Sequence, residues 1–331
     1  HGSRTYGGGG LDVDRPSRRA YKVSLNRPLV TRDYRSINMP LGAEYAAVRW
    51  LERCGYNVAY ASAWDVHSRK LSLLRRYGIF LSVGHDEYWS GQQRQAVERA
   101  RSEGTHLVFM SGNAAFWRVR WESGVTQHDE GESAEASVDE GEGRTLVCYK
   151  ETQADTKLDP EPGEWTGTFR DGRAHNPLGS APENALMGSL FTANAWRNDA
   201  IEVPSWHARL RPWRNAPLAE RMHPDRPVAR LLRGSLGHEF DEDVANGHRP
   251  AGLVHLSEAT VDGVLYVQDA GAVYDTGSAT HRIVAFMDQV SRALTVGFAT
   301  VQWAWALDAH HDGEGGVPPE RANPFNTRVR M

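Results

Sequence analysis

The chain has 331 residues, of which 40% are hydrophobic and 24% charged, with a formal net charge of −4. That length exceeds a single small core and fits one large α/β domain with insertions, or two domains. The weak net charge points to no nucleic-acid partner, no apolar run approaches the roughly 20 residues that span a bilayer, and the two cysteines, Cys54 and Cys148, exclude a disulfide scaffold or a Cys-rich metal cluster.

Residues 1–20 are rich in Gly and Arg, lack periodicity and read as loop; Ala20–Leu25 reads as a short strand. Ala47, Val48, Leu51 and Cys54 share one helical face, which predicts a helix over Ala43–Cys54 stopped by Gly55. Asn57–Ala61 reads as a strand and Val66–Tyr77 as a helix. Ile79–Val83 is a compact apolar run of the kind buried on both faces of a sheet. Ser90 is a good N-cap for a helix over Gly91–Glu103, which Gly104 ends, and His106–Met110 is the next buried strand. This alternation of helix and strand argues for a parallel sheet with helices on its faces. Gln127–Arg144 is acidic, rich in Gly, Ser and Ala, and reads as a solvated insertion. Thr145–Lys150 resumes strand character, residues 155–227 are irregular, and Leu253–Leu256, Gly263–Gln268, Ile283–Phe286 and Leu294–Ala299 read as short strands.

In parallel α/β sheets, ligands bind beyond the carboxyl ends of the strands. Two polar motifs fall there: Gly84-His85-Asp86-Glu87-Tyr88-Trp89 and Ser111-Gly112-Asn113. The first places ionisable groups just before a helix N-terminus, where a carboxylate is held ionised. Glu87 is then a candidate cation ligand or general base, and His85 a candidate acid, base or donor. On spacing alone, this reading and plain helix capping stand level. Asn113 is a candidate for orienting a carbonyl, or a turn residue after Gly112. Lys150 is a candidate oxyanion stabiliser and Glu239, in Gly237-His238-Glu239-Phe240-Asp241, a candidate base; a surface lysine and a solvated acid are the plainer readings. His310 and His311, with Asp308 and Asp312, have the composition of a metal cluster, but adjacent side chains point apart and the plain reading is preferred. No G-x-S-x-G elbow, H-E-x-x-H motif, Walker loop or strand-led G-x-G-x-x-G is found.

The segments Ala20–Ser24, Glu44-Tyr45…Arg49–Arg53, Leu81–Ser90, Gly112–Trp117, Val147–Lys150, Pro182–Ala185, Gly237–Asp241 and Gln302-Trp303…Leu307-Asp308 occur in this order. Together they resemble the C-terminal catalytic region of the N,N-dimethylformamidase large (β) subunit family, most specifically in VGHDEYWS. The resemblance implies a class I glutamine amidotransferase-like α/β fold: a parallel sheet flanked by helices. It implies an amidotransferase-like domain over residues 1–235, with an acidic insertion at about 127–144, and a β-rich or irregular C-terminal part over 236–331 on the same core. It also implies hydrolysis of a small N-substituted amide to an amine and a carboxylic acid, using one mononuclear iron, Fe(III), held by oxygen ligands. Under it, Glu87 is the carboxylate ligand, with Tyr6 and Tyr45 as the candidate tyrosines and Tyr21 as a further fallback. His85, Asn113, Lys150 and Glu239 are the catalytic and substrate-positioning residues. A small accessory subunit, a homo-oligomer and a cytoplasmic location are expected, with no nucleic acid or membrane partner. The competing readings are a homologue that keeps the fold as a binding or structural domain without the metal, and a hydrolase that uses another divalent ion through Glu87 and nearby histidines.

Overall fold

The structure is a computed structural model that describes residues 20–28, 31, 36–122, 143–153, 156–218, 222–223 and 225–312. After strand β1 (Lys22–Ser24) come a single helical turn, α1 (Pro40–Ala43), and helix α2 (Tyr45–Arg53). The buried face of α2 is Ala46, Ala47 and Trp50, and the chain leaves it through Gly55 at φ 73°. Helix α3 (Ala63–Leu74) starts at a capping box: the Asp65 N–H donates to Ser62 Oγ (3.1 Å) while Asp65 Oδ2 accepts from the Ser62 N–H (2.8 Å). Strand β2 (Ile79–Gly84), the short β3 (Tyr88–Ser90), helix α4 (Gly91–Ser102) and β4 (His106–Ser111) follow. Ser90 caps α4 by accepting from the Gln93 N–H, and Gly104 at φ 103° lets the chain turn away, as the residue types predict. Asn57–Ala61 is not a strand: it lies largely exposed without a ladder partner, and Tyr60 hydrogen-bonds back to Glu52.

Next come β5 (Trp117–Glu122), β6 (Thr145–Val147), a turn of helix α5 (Asn184–Met187), and then almost only strands: β7 (Leu190–Pro204), β8 (Met222–His223), β9 (Arg226–Glu242), β10 (Val254–His255), β11 (Ala259–Gln268), β12 (Val273–His281), β13 (Val284–Met287) and β14 (Leu294–Gly297). One sheet has the order β10-β13-β14-β4-β2, in which only β14, β4 and β2 run parallel. A second, antiparallel sheet runs β12-β11-β7-β9-β8 and closes into a barrel where His281 of β12 pairs with Glu242 of β9. A small sheet joins β1, β6, β5 and β3.

This architecture corrects the expected helix-flanked parallel sheet of the glutamine amidotransferase type. The fold is mostly β, with a closed barrel and 23% helix. The reason lies in residues 190–204, which read as irregular because their alternation is broken. The pairing of β7 with β9 shifts register between Phe191 and Ala193, Ala195 and Asn198, Asp199 and Ala200, and Ala200 and Glu202. Each bulge inserts a residue and resets which side chain faces inward, so a 15-residue strand loses the period-2 signature that would reveal it.

The cores follow from this layout. On one face of the parallel strands, Phe80, Leu107 and Phe109 pack with Val97 and Ala100 of α4 and Leu71 and Leu74 of α3. On the other, Leu81, Val83, Val108 and Met110 pack with α2 and with Ile201, Leu236 and Phe240 of the barrel. Fully burying each large apolar side chain contributes about 1.5–3 kcal/mol, and this second interface fixes the carboxyl ends of β2 and β4 against β9.

Candidate active site

Strand β2 ends at Gly84, whose φ is 72° and where a Cβ would lie 3.0 Å from Ala43 Cβ and 3.1 Å from Glu44 Cγ. A glycine there lets the chain turn tightly beneath α1 and α2, and it delivers His85, Asp86 and Glu87 to the interior. The following segment is bound to the loop after β4: the Ala115 N–H donates to Asp86 O (2.9 Å), and those of Phe116 and Trp117 donate to Glu87 O (3.0 and 2.9 Å). Asp86 Oδ2 accepts from Ser82 Oγ (2.8 Å), and burial pushes its carboxyl up. The Glu87 carboxylate is buried, and its Oε1 accepts from the Trp117 indole N–H (2.9 Å).

Strand β4 ends at Ser111, and at the next residue, Gly112, a Cβ would sit 2.6 Å from Glu239 O and 3.0 Å from Thr300 Cα and Val301 N. Only a residue without a side chain allows this contact with β9. Asn113, next along, has φ 50°. Its side-chain N–H donates to Glu239 Oε2 (2.8 Å), and its main-chain N–H donates to Asp241 Oδ1 (2.8 Å). Asn194, opposite Glu239 in the β7–β9 ladder, donates to Glu239 Oε1 (3.2 Å).

His85 Nε2 is 2.7 Å from Glu239 Oε2 and 3.7 Å from Glu87 Oε2, and its Nδ1 faces Asn38 Oδ1 at 3.2 Å. Burial pulls the His85 imidazole down, but Glu239, Glu87 and Asp86 outweigh it and hold the ring well above the usual imidazole range. Burial pushes Glu239 up, but His85, His238 and Asn113 together bring it below the usual carboxylate range. The pair is therefore an imidazolium against a carboxylate in a dry setting. Glu44, beside it, is pushed up to about 7 by burial and by Asp86, against the opposing pull of His85.

The structure thus brings His85, Glu87, Asn113 and Glu239 into one connected array. Lys150 joins through Trp117: its Nζ lies 4.5 Å from the centre of that ring and 5.1 Å from the Tyr88 ring. Tyr45, half-buried at the first residue of α2, makes no hydrogen bond or ring contact with Glu87 among the described residues, and Tyr6 lies outside the described residues. Tyr21 stacks on Tyr149 with ring centres 4.8 Å apart. His311 stacks flat on Trp305 and Asp308 pairs with Arg53, a packing role for the C-terminal cluster.

Several site residues carry no isolated signal in the sequence. His238 has φ 52° and lies 5.6 Å, ring to ring, from His85. Among the described residues, His85, His238 and Glu239 offer donor atoms that all lie within 4.8 Å of one another, a spacing that a metal ion can bridge. Tyr274 of β12 is raised by burial and by the nearby carboxylates Glu239 and Glu87. Trp117, His238 and Asp241 fall inside motifs singled out from the sequence; Asn194 and Tyr274 do not, and only strand pairing brings them in. Asn113, Lys150 and His238 all occupy left-handed backbone, a concentration of strained non-glycine residues of the kind that collects at functional sites.

The family model described as N,N-dimethylformamidase beta subunit-like, C-terminal, matches residues 1–315 of this chain. The chain is also similar to the N,N-dimethylformamidase beta subunits of Paracoccus aminophilus and of an Alcaligenes species, at 29% identity over 121 residues in each case. Those alignments cover 36% of this chain and 16% of each relative.

Proposed function

The chain belongs to the N,N-dimethylformamidase beta subunit-like C-terminal family, and on that premise we propose that it hydrolyses the C–N bond of a small N-substituted amide to an amine and a carboxylic acid. The observation that carries this reading is the buried His85–Glu239–Asn113 array beside Glu87. Amide hydrolysis needs a base to take a proton from water, an acid to protonate the departing nitrogen, and donors for the developing oxyanion. Glu239 is the base, held ionised by His85 and oriented by Asn113 and Asn194. His85, charged and in contact with Glu239, returns the proton to the leaving amine. Lys150 supplies a fixed positive charge, steered by the Trp117 and Tyr88 rings, for the carbonyl oxygen. Among the described residues the buried amide oxygens of Asn113 and Asn194 have no hydrogen-bond partner, and they suit the N–H formed on the departing amine.

We assign the metal to the same place. The donors present are two carboxylates, Glu87 and Glu239, and the imidazole of His238, with His85 a further donor only once it has given up its proton; this chemistry fits a first-row ion such as iron. Glu87, anchored by Trp117, is the proposed principal iron ligand; Tyr6, a candidate tyrosine from the resemblance, lies outside the described residues. A bound ion supplies Lewis-acid polarisation of the amide carbonyl and a lower pKa for the nucleophilic water. A second reading is favoured by the triad: a hydrolase whose ion, of another metal, sits on His85, His238 and Glu239. The β subunit names of the relatives support a proposal that this chain works with a partner subunit. No helix among the described residues is long and apolar enough to cross a membrane.

The test is to express the protein with iron, measure metal content, and assay amine release from N,N-dimethylformamide and smaller amides. Turnover that falls at least about 100-fold in Glu239→Gln is the expected result. Absence of turnover in iron-loaded protein refutes the amidase reading. Metal loss in Glu87→Ala with retention in His238→Ala favours iron on Glu87; the reverse favours the triad.

A further inference from the structure

Strand β9 presents Glu239 and Asp241 two residues apart, hence on one face. Glu239 binds the Asn113 side chain, and Asp241 binds the Asn113 main chain. Asp241 is 1% exposed. Its Oδ2 accepts from Ser189 Oγ (2.9 Å) and its own N–H donates to Ala299 O (3.0 Å), so its position is set from both sides. The loop it holds is in an unfavourable shape. Asn113 and Ala115 both have positive φ, at 50° and 52°. β4 ends at Ser111, so no strand ladder takes the Asn113 N–H. A buried N–H needs a partner, and a carboxylate is about twice as strong an acceptor as a neutral group.

We propose that Asp241 is a positioning residue for the catalytic centre: by holding the Asn113 main chain in its left-handed conformation, it aims the Asn113 side chain at Glu239 and sets the orientation of the base. The inference rests on the amide-hydrolase reading above. It assigns Asp241 no contact with substrate; its effect passes through Asn113. The rest of the loop transmits that position, because Ala115, Phe116 and Trp117 donate to the carbonyls of Asp86 and Glu87.

The experiment is a double-mutant cycle on the iron-loaded full chain with Asp241→Ala, Asn113→Ala and both together, reading kcat and KM separately. A misplaced catalytic group costs up to about 100-fold. Asp241→Ala is expected to lower kcat about 30-fold or more with KM within about threefold, and to add less than about threefold on top of Asn113→Ala. Full additivity, or an unchanged kcat in Asp241→Ala, overturns the proposal. Where Asp241→Ala does not fold, Asp241→Asn decides. Its amide oxygen accepts from Asn113 while its amide nitrogen donates to Ser189 Oγ, so kcat within about threefold of wild type is expected, and a loss as large as that of Asn113→Ala overturns it. If the wild type hydrolyses no amide, the function reading fails on its own. Asp241 is then judged by hydrogen exchange over residues 111–117: faster exchange in Asp241→Ala, or in Asp241→Ser should the alanine variant not fold, than in Asp241→Asn supports the proposal, and equal exchange overturns it.

Discussion

The pair that closes the barrel contains a titratable group with no room for its charged form, and this makes a quantitative prediction. His281 is fully buried, and its Nε2 lies 2.9 Å from Phe298 O, so Nε2 carries the proton and donates. Nδ1 is buried with no partner among the described residues. Protonating it would bury a charged N–H without an acceptor, and burial, only partly offset by the Phe298 carbonyl, lowers the imidazole from 6.5 to about 4. The unfolded chain therefore binds more protons than the fold between pH 6.5 and 4. The stabilisation from a neutral His281 is fully present above pH 6.5 and is lost as pH falls toward 4. At 1.36 kcal/mol per unit, the shift amounts to about 3 kcal/mol in full, of which about 2 kcal/mol is lost between pH 7 and pH 4.5. The perturbation is His281→Gln, which keeps a donor for Phe298 O and removes the titration. Urea unfolding of both proteins across pH 7 to 4.5 measures it, and other titrating groups cancel in the difference. The wild type is expected to lose about 2 kcal/mol more than the variant over that range. Parallel curves would refute the assignment of a neutral, Nε2-protonated His281 to the closing pair.

Gly112→Ala forces a Cβ to 2.6 Å from Glu239 O, against backbone that cannot rotate away. We expect a loss of about 1–3 kcal/mol by thermal or urea unfolding and a fall in kcat through displaced Glu239; an unchanged melting temperature would contradict the packing described. Trp117→Phe leaves Glu87 Oε1 without its indole donor and removes little apolar contact. Iron titration is expected to show affinity lowered by about 10- to 100-fold, as for other residues that orient a ligand; an unchanged affinity would move the ion away from Glu87.

The residues of the site are more legible in the chain than the architecture that holds them. His85, Glu87 and Asn113 stand out because short apolar strands ending in polar loops have a local signature, and β2 and β4 do pair in parallel. That pattern does not extend to the whole molecule. Barrel strands β7 and β9 span 15 and 17 residues, yet their bulges scramble the alternation, and no local rule announces that β12 returns to β9 to close a ring. The same holds for side chains. His238 and Asp241 flank Glu239 within a single five-residue motif and are legible from their nearness to it, whereas Asn194 and Tyr274 reach the site through antiparallel pairing across long sequence distance. The Asn57–Ala61 segment misleads for a simpler reason: an alternating stretch is a strand only if an edge is open to receive it.

Between Gly237 and Glu242, β9 carries the proposed base Glu239, its neighbour His238, the Asp241 acceptor for Asn113 and the residue that closes the barrel. Phe240, on the opposite face from Glu239 and Asp241, is fully buried in the core. Because faces alternate residue by residue, adding or deleting one residue there would exchange chemistry for core, turning Phe240 toward the polar array and driving a carboxylate into the apolar interior. A change of length here should therefore be more damaging than any single substitution, so related chains should vary in loop length elsewhere while the number of residues from Gly237 to Glu242 stays constant.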